Sequence, residues 1–284
     1  MRTVAHISDL HFGREDRKIA EGLLLDLKAH TPSLIVVSGD LTQRAKHDEF
    51  IAAKNYFDRF SHPSLIVPGN HDIPLYNVVN RFIRPLDRYK RYITDNLNPT
   101  FVDEEIAVVG INTARSLTLK NGAISFDQLR HIEAKFHTFS SNLFKVLVVH
   151  HQFVPPPDNS APALIRRAAD VVRRIELCGV NLVLAGHTHK SYTADLKQHY
   201  QTGHSILVAH AGTAISKRGR GEPNGYNLIS LDKSHVHISM RTWDGHSFVE
   251  AQSTSYHKIQ SHWHKEHDRA RLGYSPDSGN YSPV

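Results

Sequence analysis

The stretch "LVLAGHTHK" (182–190) sets an apolar run directly against a Gly-His-Thr-His tetrad. The run is too short for a helix and is bounded by Asn181 and Gly186, so it reads as a strand covered on both faces. The same type of run recurs at 34–37 (LIVV), 65–67 (LIV), 106–111 (IAVVGI), 146–149 (VLVV) and 206–209 (ILVA). Between the early runs, Ile19, Leu23 and Leu27 in 16–30, and Phe50, Ala53, Phe57 and Phe60 in 46–60, keep helical spacing. Further helices are expected at about 76–93, 127–139 and 163–177. Strands alternating with helices predict an α/β fold. After about residue 200 the pattern turns strand-rich, with "YNLISL" (226–231) and "HVHISMRTW" (235–243), and predicts an antiparallel second half.

The residues that carry chemistry sit just past the strands. After the first come Asp9 and His11 ("SDLHFG"), after the second Asp40 ("SGDLTQ"), and after the third Asn70, His71 and Asp72 ("VPGNHD"). Later come His150 ("VVHHQ") and the pair His187 and His189. The C-terminal ends of strands form the edge where open α/β sheets bind ligands. Asp9/His11 and His187/His189 are i, i+2 pairs, which in extended chain point the same way. Setting His71 and Asp72 aside, the donors are two Asp, one Asn and four His. Such a set exceeds one divalent ion and suits two ions roughly 3.5–4 Å apart, bridged by one carboxylate. Asp40, between the other two early turns, is the expected bridge. Mixed O and N donors favour Mn, Fe or Zn over Mg or Ca.

Composition bounds the rest. The chain has 284 residues, 40 % of them hydrophobic, a net charge of +6 and 22 histidines. No window approaches the ~18 apolar residues of a membrane span. The lone Cys178 excludes an internal disulfide, and the start "MRTVAHISDL" has no leader pattern, so a cytoplasmic protein is expected. The charge fits an anionic substrate, and no stable nucleic-acid partner is expected of a chain this short; a homo-oligomer is left open. One domain is expected over 1–250, and a polar tail, without periodicity, over 251–284. His262, His264 and His267 are placed in that tail.

Asp-x-His, Gly-Asp, Gly-Asn-His-Asp, His and Gly-His-x-His, in that order from Asp9 to His189, resemble the calcineurin-like metallophosphoesterase superfamily. The resemblance implies a four-layer αββα sandwich with two central mixed β-sheets. It implies one ion on Asp9, His11, Asp40 and His189, and a second on Asp40, Asn70, His150 and His187. His71 becomes a catalytic histidine that is not a ligand, oriented by Asp72. "HISDLHFG", "VVSGDLTQ", "VPGNHD" and "INTARS" (111–116) are most similar to bacterial class III cyclic nucleotide phosphodiesterases and glycerophosphodiesterase-type enzymes.

The expected activity is therefore hydrolysis of a small-molecule phosphodiester by attack of a metal-bridging hydroxide. Arg115 and the basic loop 216–225 are candidates to reach the substrate phosphate, and the Pro-rich loop 152–167 is a candidate wall of the pocket. His151 is read as a residue behind the site or a purely structural one. The alternatives are a pyrophosphatase of the UDP-diacylglucosamine type, for which the sequence shows no convincing amphipathic lid, and a catalytically silent scaffold, which should have lost ligands.

Overall fold

A computed structural model of the chain describes residues 1–75, 78–117, 121–158, 163–218 and 221–266. Two sheets lie face to face. The first holds seven strands: β1 (Arg2–Ile7), β2 (Leu34–Val37), β3 (Ser64–Ile66), β10 (Gly225–Leu231), β11 (His235–Trp243), β12 (Phe248–Ile259) and β13 (His262–Lys265). Its order is β13-β12-β11-β10-β1-β2-β3, parallel from β1 to β3 and antiparallel elsewhere. The second holds six: β4 (Thr100–Val102), β5 (Ile106–Gly110), β6 (Phe144–Val148), β7 (Leu182–Ala185), β8 (Tyr192–Asp195) and β9 (Leu207–His210), in the order β4-β5-β6-β7-β9-β8.

The uninterrupted apolar runs are explained by burial on both faces. In β2, Leu34 and Val36 point between the sheets, while Ile35 and Val37 meet helices α1 (Arg17–His30) and α2 (His47–Phe57) through Leu23, Leu27, Phe50 and Ala53. In β7, Leu182 and Leu184 point inward, while Val183 and Ala185 meet α5 (Phe126–Thr138) and α6 (Ala168–Leu177) through Ile132, Phe136, Val171 and Ile175. Helix, sheet, sheet, helix is the four-layer sandwich the sequence implied.

Three details depart from expectation. The helix predicted at 76–93 is two short ones, α3 (Val78–Ile83) and α4 (Asp87–Tyr92), because Pro85 has no N–H to continue the ladder; residues 76 and 77 lie outside the described set. The helix expected at 163–177 begins at Ala168. The boundary expected at 250 falls inside a strand, and this is a correction: β12 and β13 carry the first sheet to Lys265, with Thr254, Tyr256 and Trp263 buried and their neighbours outward. His262 and His264 therefore sit on β13, while His267 and the rest of the tail lie outside the described residues.

Candidate metal centre

The first sheet brings Asp9, His11, Asp40 and Asn70 to its C-terminal edge, from the turns after β1, β2 and β3. The second brings His150, His187 and His189, from the turns after β6 and β7. Both sets face one another across the seam between the sheets. Nε2 of His11 and Nε2 of His189 lie 3.6 and 3.5 Å from Oδ1 of Asp9. The Asp40 carboxylate stands between two groups: Oδ2 is 3.9 Å from Nε2 of His11, and Oδ1 is 3.2 Å from Nε2 of His150. Oδ1 of Asn70 is 3.2 Å from the same His150 nitrogen.

The pairs converge by a different backbone from the one expected. Asp9, His11, Asp40, His187 and His189 all have left-handed φ, between 50° and 71°, rather than extended values. Non-glycine residues occupy that region at a cost of about 1–3 kcal/mol each, and only where surrounding structure holds them. His187 and His189 also part company. His189 joins Asp9 and His11, whereas His187 joins His150.

Two glycines make the close approach possible. Gly39, at φ 97°, lets the chain turn into Asp40 where a side chain would be strained. At Gly186 a Cβ would stand 1.8 Å from Oγ of Ser8 and 2.7 Å from Oδ2 of Asp9. That packing lets the amide of His187 donate to Oδ2 of Asp9 at 2.9 Å, tying the second sheet to the first.

The imidazoles are aimed by their far nitrogens. Nδ1 of His150 lies 2.7 Å from the Ser38 carbonyl, Nδ1 of His189 2.6 Å from Oγ1 of Thr213, and Nδ1 of His11 3.4 Å from the Thr42 carbonyl. Each Nε2 is left for the seam, the orientation of metal-ligating histidines. Oδ1 of Asp9, Nε2 of His11 and Nε2 of His187 are buried without a hydrogen-bond partner. Buried polar atoms are rarely orphaned. A set of orphaned carboxylate and imidazole atoms converging from two sheets fits a cluster of divalent ions.

Charge supports the same conclusion. Burial alone would raise the Asp9 and Asp40 carboxyls, yet the surrounding histidines hold both well below the usual carboxylate range. Burial pulls His150 down, but the charge and hydrogen bond of Asp40, with Asp9 and the Ser38 carbonyl, lift it to about 9. His187 is pushed to about 3 by burial and by His150, against the pull of Asp40 and Asp9.

His71 stands at the rim, with its ring edge-on to His11 at 4.9 Å. Its Nδ1 lies 2.8 Å from the Gln43 carbonyl, so Nδ1–H donates there and Nε2 carries the lone pair. Asp72 does not orient it, contrary to expectation. The Asp72 carboxylate turns the other way and accepts from the amides of Leu41, Thr42 and Gly69 and from the Thr42 hydroxyl. Three backbone donors outcompete a single imidazole, and Asp72 becomes the tie between the second and third turns. Burial, then the Asp40 charge, raises its carboxyl to about 6.

Arg115 is engaged within its own segment. Its guanidinium donates to Oε1 of Gln128, at the start of α5, and to the Ala114 carbonyl. The arginine at the site is Arg218, whose Nη1 donates to Nε2 of His71 at 3.1 Å. The basic loop 216–225 pointed to it, but nothing in the spacing singled it out; its residues 219 and 220 lie outside the described set. His151, read as standing behind the site, is within ligand range of His150 and His187, with Nδ1 2.7 Å from Oγ1 of Thr113. Residues 159–162 of the Pro-rich loop lie outside the described residues. Among the described residues no helix is long and apolar enough to cross a membrane.

A family profile described as calcineurin-like phosphoesterase matches residues 2–191. A glycerophosphodiester phosphodiesterase, GpdQ of Enterobacter lignolyticus, is 30 % identical over 82 residues, covering 24 % of this chain and 29 % of that protein. Among solved structures, the purple acid phosphatase PPD1 of yellow lupin superposes with a TM-score of 0.68 at 10 % identity, covering 89 % of this chain and 53 % of the lupin chain. A dimetal phosphatase of Danio rerio superposes with a TM-score of 0.64 at 13 % identity, covering 89 % of this chain and 98 % of that one. The chain thus spans under a third of the diesterase and about half of the lupin enzyme.

Proposed function

Because the chain belongs to the calcineurin-like phosphoesterase family, and is accordingly a metal-dependent phosphoester hydrolase, we propose that it is a small-molecule phosphodiesterase with a two-metal centre. We assign Asp9, His11, Asp40 and His189 to one ion, and Asp40, Asn70, His150 and His187 to the other. The observation that carries this is the Asp40 carboxylate, whose two oxygens face His11 and His150 on opposite sides. Mn, Fe or Zn suits these donors best. Two ions so held would neutralise phosphoryl charge and activate a water at neutral pH.

The chain's own residues do the remaining work. The carbonyl of Gln43 fixes His71 in the Nδ1–H tautomer, so Nε2 carries the lone pair, and the leaving oxygen would exchange a proton there by taking the place of Arg218. Arg218 brings a permanent positive charge to the same point, where negative charge develops. The burial of Asp9, Asp40 and His150 keeps bulk water from competing for the ligand atoms. A diester is favoured over a monoester by the local likeness to a glycerophosphodiester phosphodiesterase. The test is turnover with Mn²⁺ of bis-p-nitrophenyl phosphate, p-nitrophenyl phosphate, cyclic AMP and glycerophosphoethanolamine. Diester turnover is expected to dominate; faster turnover of the monoester would overturn the reading.

One observation favours a second reading, a pyrophosphatase acting on a lipid-linked nucleotide sugar. Just past the Asn-His-Asp turn, Val79, Phe82 and Ile83 of α3 are 64, 53 and 71 % exposed, and Arg84, Arg88, Lys90 and Arg91 come next along the chain. An apolar surface edged by cations is what an anionic lipid interface would contact. Co-sedimentation with phosphatidylglycerol vesicles, abolished by Phe82→Ser with Ile83→Ser, supports that reading; no sedimentation removes it.

A further inference from the structure

Beside His71 the surface opens into a pocket of about 360 Å³ lined by Arg14, Gln43, Arg44, Lys217 and Arg218. Of these five, four are cations and none is acidic. Gln43 and Arg218 are also the two residues that hold the ring of His71, so the pocket begins where the proposed leaving-group side of the centre ends.

The three segments that build it are tied by backbone bonds. The Gln43 amide donates to the Phe12 carbonyl at 3.0 Å, and the Lys217 amide donates to the Arg14 carbonyl at 2.9 Å. Oγ of Ser216 donates to the same Arg14 carbonyl at 3.3 Å and accepts from the Arg218 amide at 3.2 Å. These ties bring the four cations to one rim. Asp16 caps α1 and lies 4.0 Å from Nζ of Lys217, while Glu15 accepts from the Gly13 amide.

We propose that this pocket binds a second phosphate of the substrate, so that the preferred substrates are phosphodiesters bearing a phosphate besides the scissile one. Guanidinium forks match phosphate oxygens in pairs, and three arginines with one lysine around a small volume suit a compact, doubly charged group rather than an extended surface. The inference rests on the phosphodiesterase reading. It narrows it away from cyclic nucleotides and simple glycerophosphodiesters, which carry no second phosphate.

The test compares the dinucleotide TpT with pTpT and TpTp, using the Mn²⁺-loaded protein. A kcat/KM at least ~10-fold higher for one terminally phosphorylated form is expected. In the Arg14→Gln/Lys217→Gln variant that ratio should fall to within ~2-fold of one. TpTpT, whose second phosphate is a backbone link, distinguishes a terminal phosphate from a neighbouring diester. Calorimetric binding of thymidine 3′,5′-bisphosphate against thymidine 5′-monophosphate gives a readout without turnover. The bisphosphate should bind tighter, and the variant should lose the difference. Equal binding and equal kcat/KM across all phosphorylated and unphosphorylated forms would overturn the proposal, as would a preference the variant leaves intact. Turnover of bis-p-nitrophenyl phosphate in parallel shows whether the parent reading has failed instead.

Discussion

Nη1 of Arg218 donates to Nε2 of His71 at 3.1 Å, across 147 positions of sequence. The imidazole is therefore held at both nitrogens, by a carbonyl on one side and a cation on the other. Burial lowers its pKa, and the His11 and Arg218 charges add to that against the opposing pull of Asp40 and the Gln43 carbonyl. Removing Arg218 takes away a positive charge, so Arg218→Met should raise the His71 pKa, read by NMR of the ring over a pH titration. His71→Gln should lower kcat by roughly 10²–10⁴-fold. Its metal content, read by elemental analysis, should match wild type. Loss of metal in that variant would make His71 a ligand and contradict the role assigned to it.

His150 links metal uptake to pH. At about 9, its imidazole is protonated at neutral pH in the metal-free protein, yet a ligand nitrogen must be neutral. Metal binding at pH 7.5 should release about one proton from this site. Apparent affinity should rise roughly tenfold per pH unit and flatten near the His150 pKa. Titration calorimetry in buffers of different ionisation enthalpy measures the release, and His150→Gln should remove it. Uptake without proton release would mean the ring is already neutral.

Gly186→Ala should dismantle the centre without replacing any proposed ligand. The new Cβ would collide with Ser8 and Asp9, at a cost of about 1–3 kcal/mol. The bond from the His187 amide to Asp9 would open. A lowered melting temperature together with metal content well below wild type is expected. A variant that melts lower but loads fully would show that the contact serves packing alone.

Two further histidines make the fold acid-sensitive. His6 and His210 are buried, bond to Ser38 and the Gly186 carbonyl, and are pushed to about 3, chiefly by burial. The unfolded chain takes a proton near pH 6.5, the folded one near 3, so the unfolded state gains on acidification through that window. The loss is about 1.4 kcal/mol per pH unit for each histidine. Asp72, raised to about 6, works the other way, gaining stability as pH falls from there toward 4. The urea midpoint of metal-free protein should fall between pH 6.5 and 4.5, and His210→Phe, which keeps a flat ring against Tyr192, should flatten the slope. An unchanged slope would mean that His210 is not the group being charged.

The proposed ligands were legible because each comes after a strand whose apolar run is unmistakable, and a strand end fixes a residue's place in an α/β fold. The strands at the far edge were not, since β12 carries Ser, Thr and Gln on a lattice of inward Thr254 and Tyr256 that is too sparse to register as a run. Side-chain direction was less legible still. Asp72 sits beside His71 in sequence, but a 3₁₀ turn over Asn70–Asp72 sends its carboxylate to the amides of the neighbouring turns. Arg218 was hidden for another reason: it arrives on a loop whose position depends on bonds to Arg14, which no local pattern records.

The centre draws on both sheets at once, and each proposed ion would clasp one to the other like a rivet through two plates. Neither half of the chain holds a complete set of ligands, so residues 1–75 without 150–189 could cradle no ion in full. Folding of the two halves and capture of metal then become a single event at this end of the molecule. Stripping the ions should loosen the grip there first, while the far end, clamped by Phe144, Tyr256 and Trp263, stays shut.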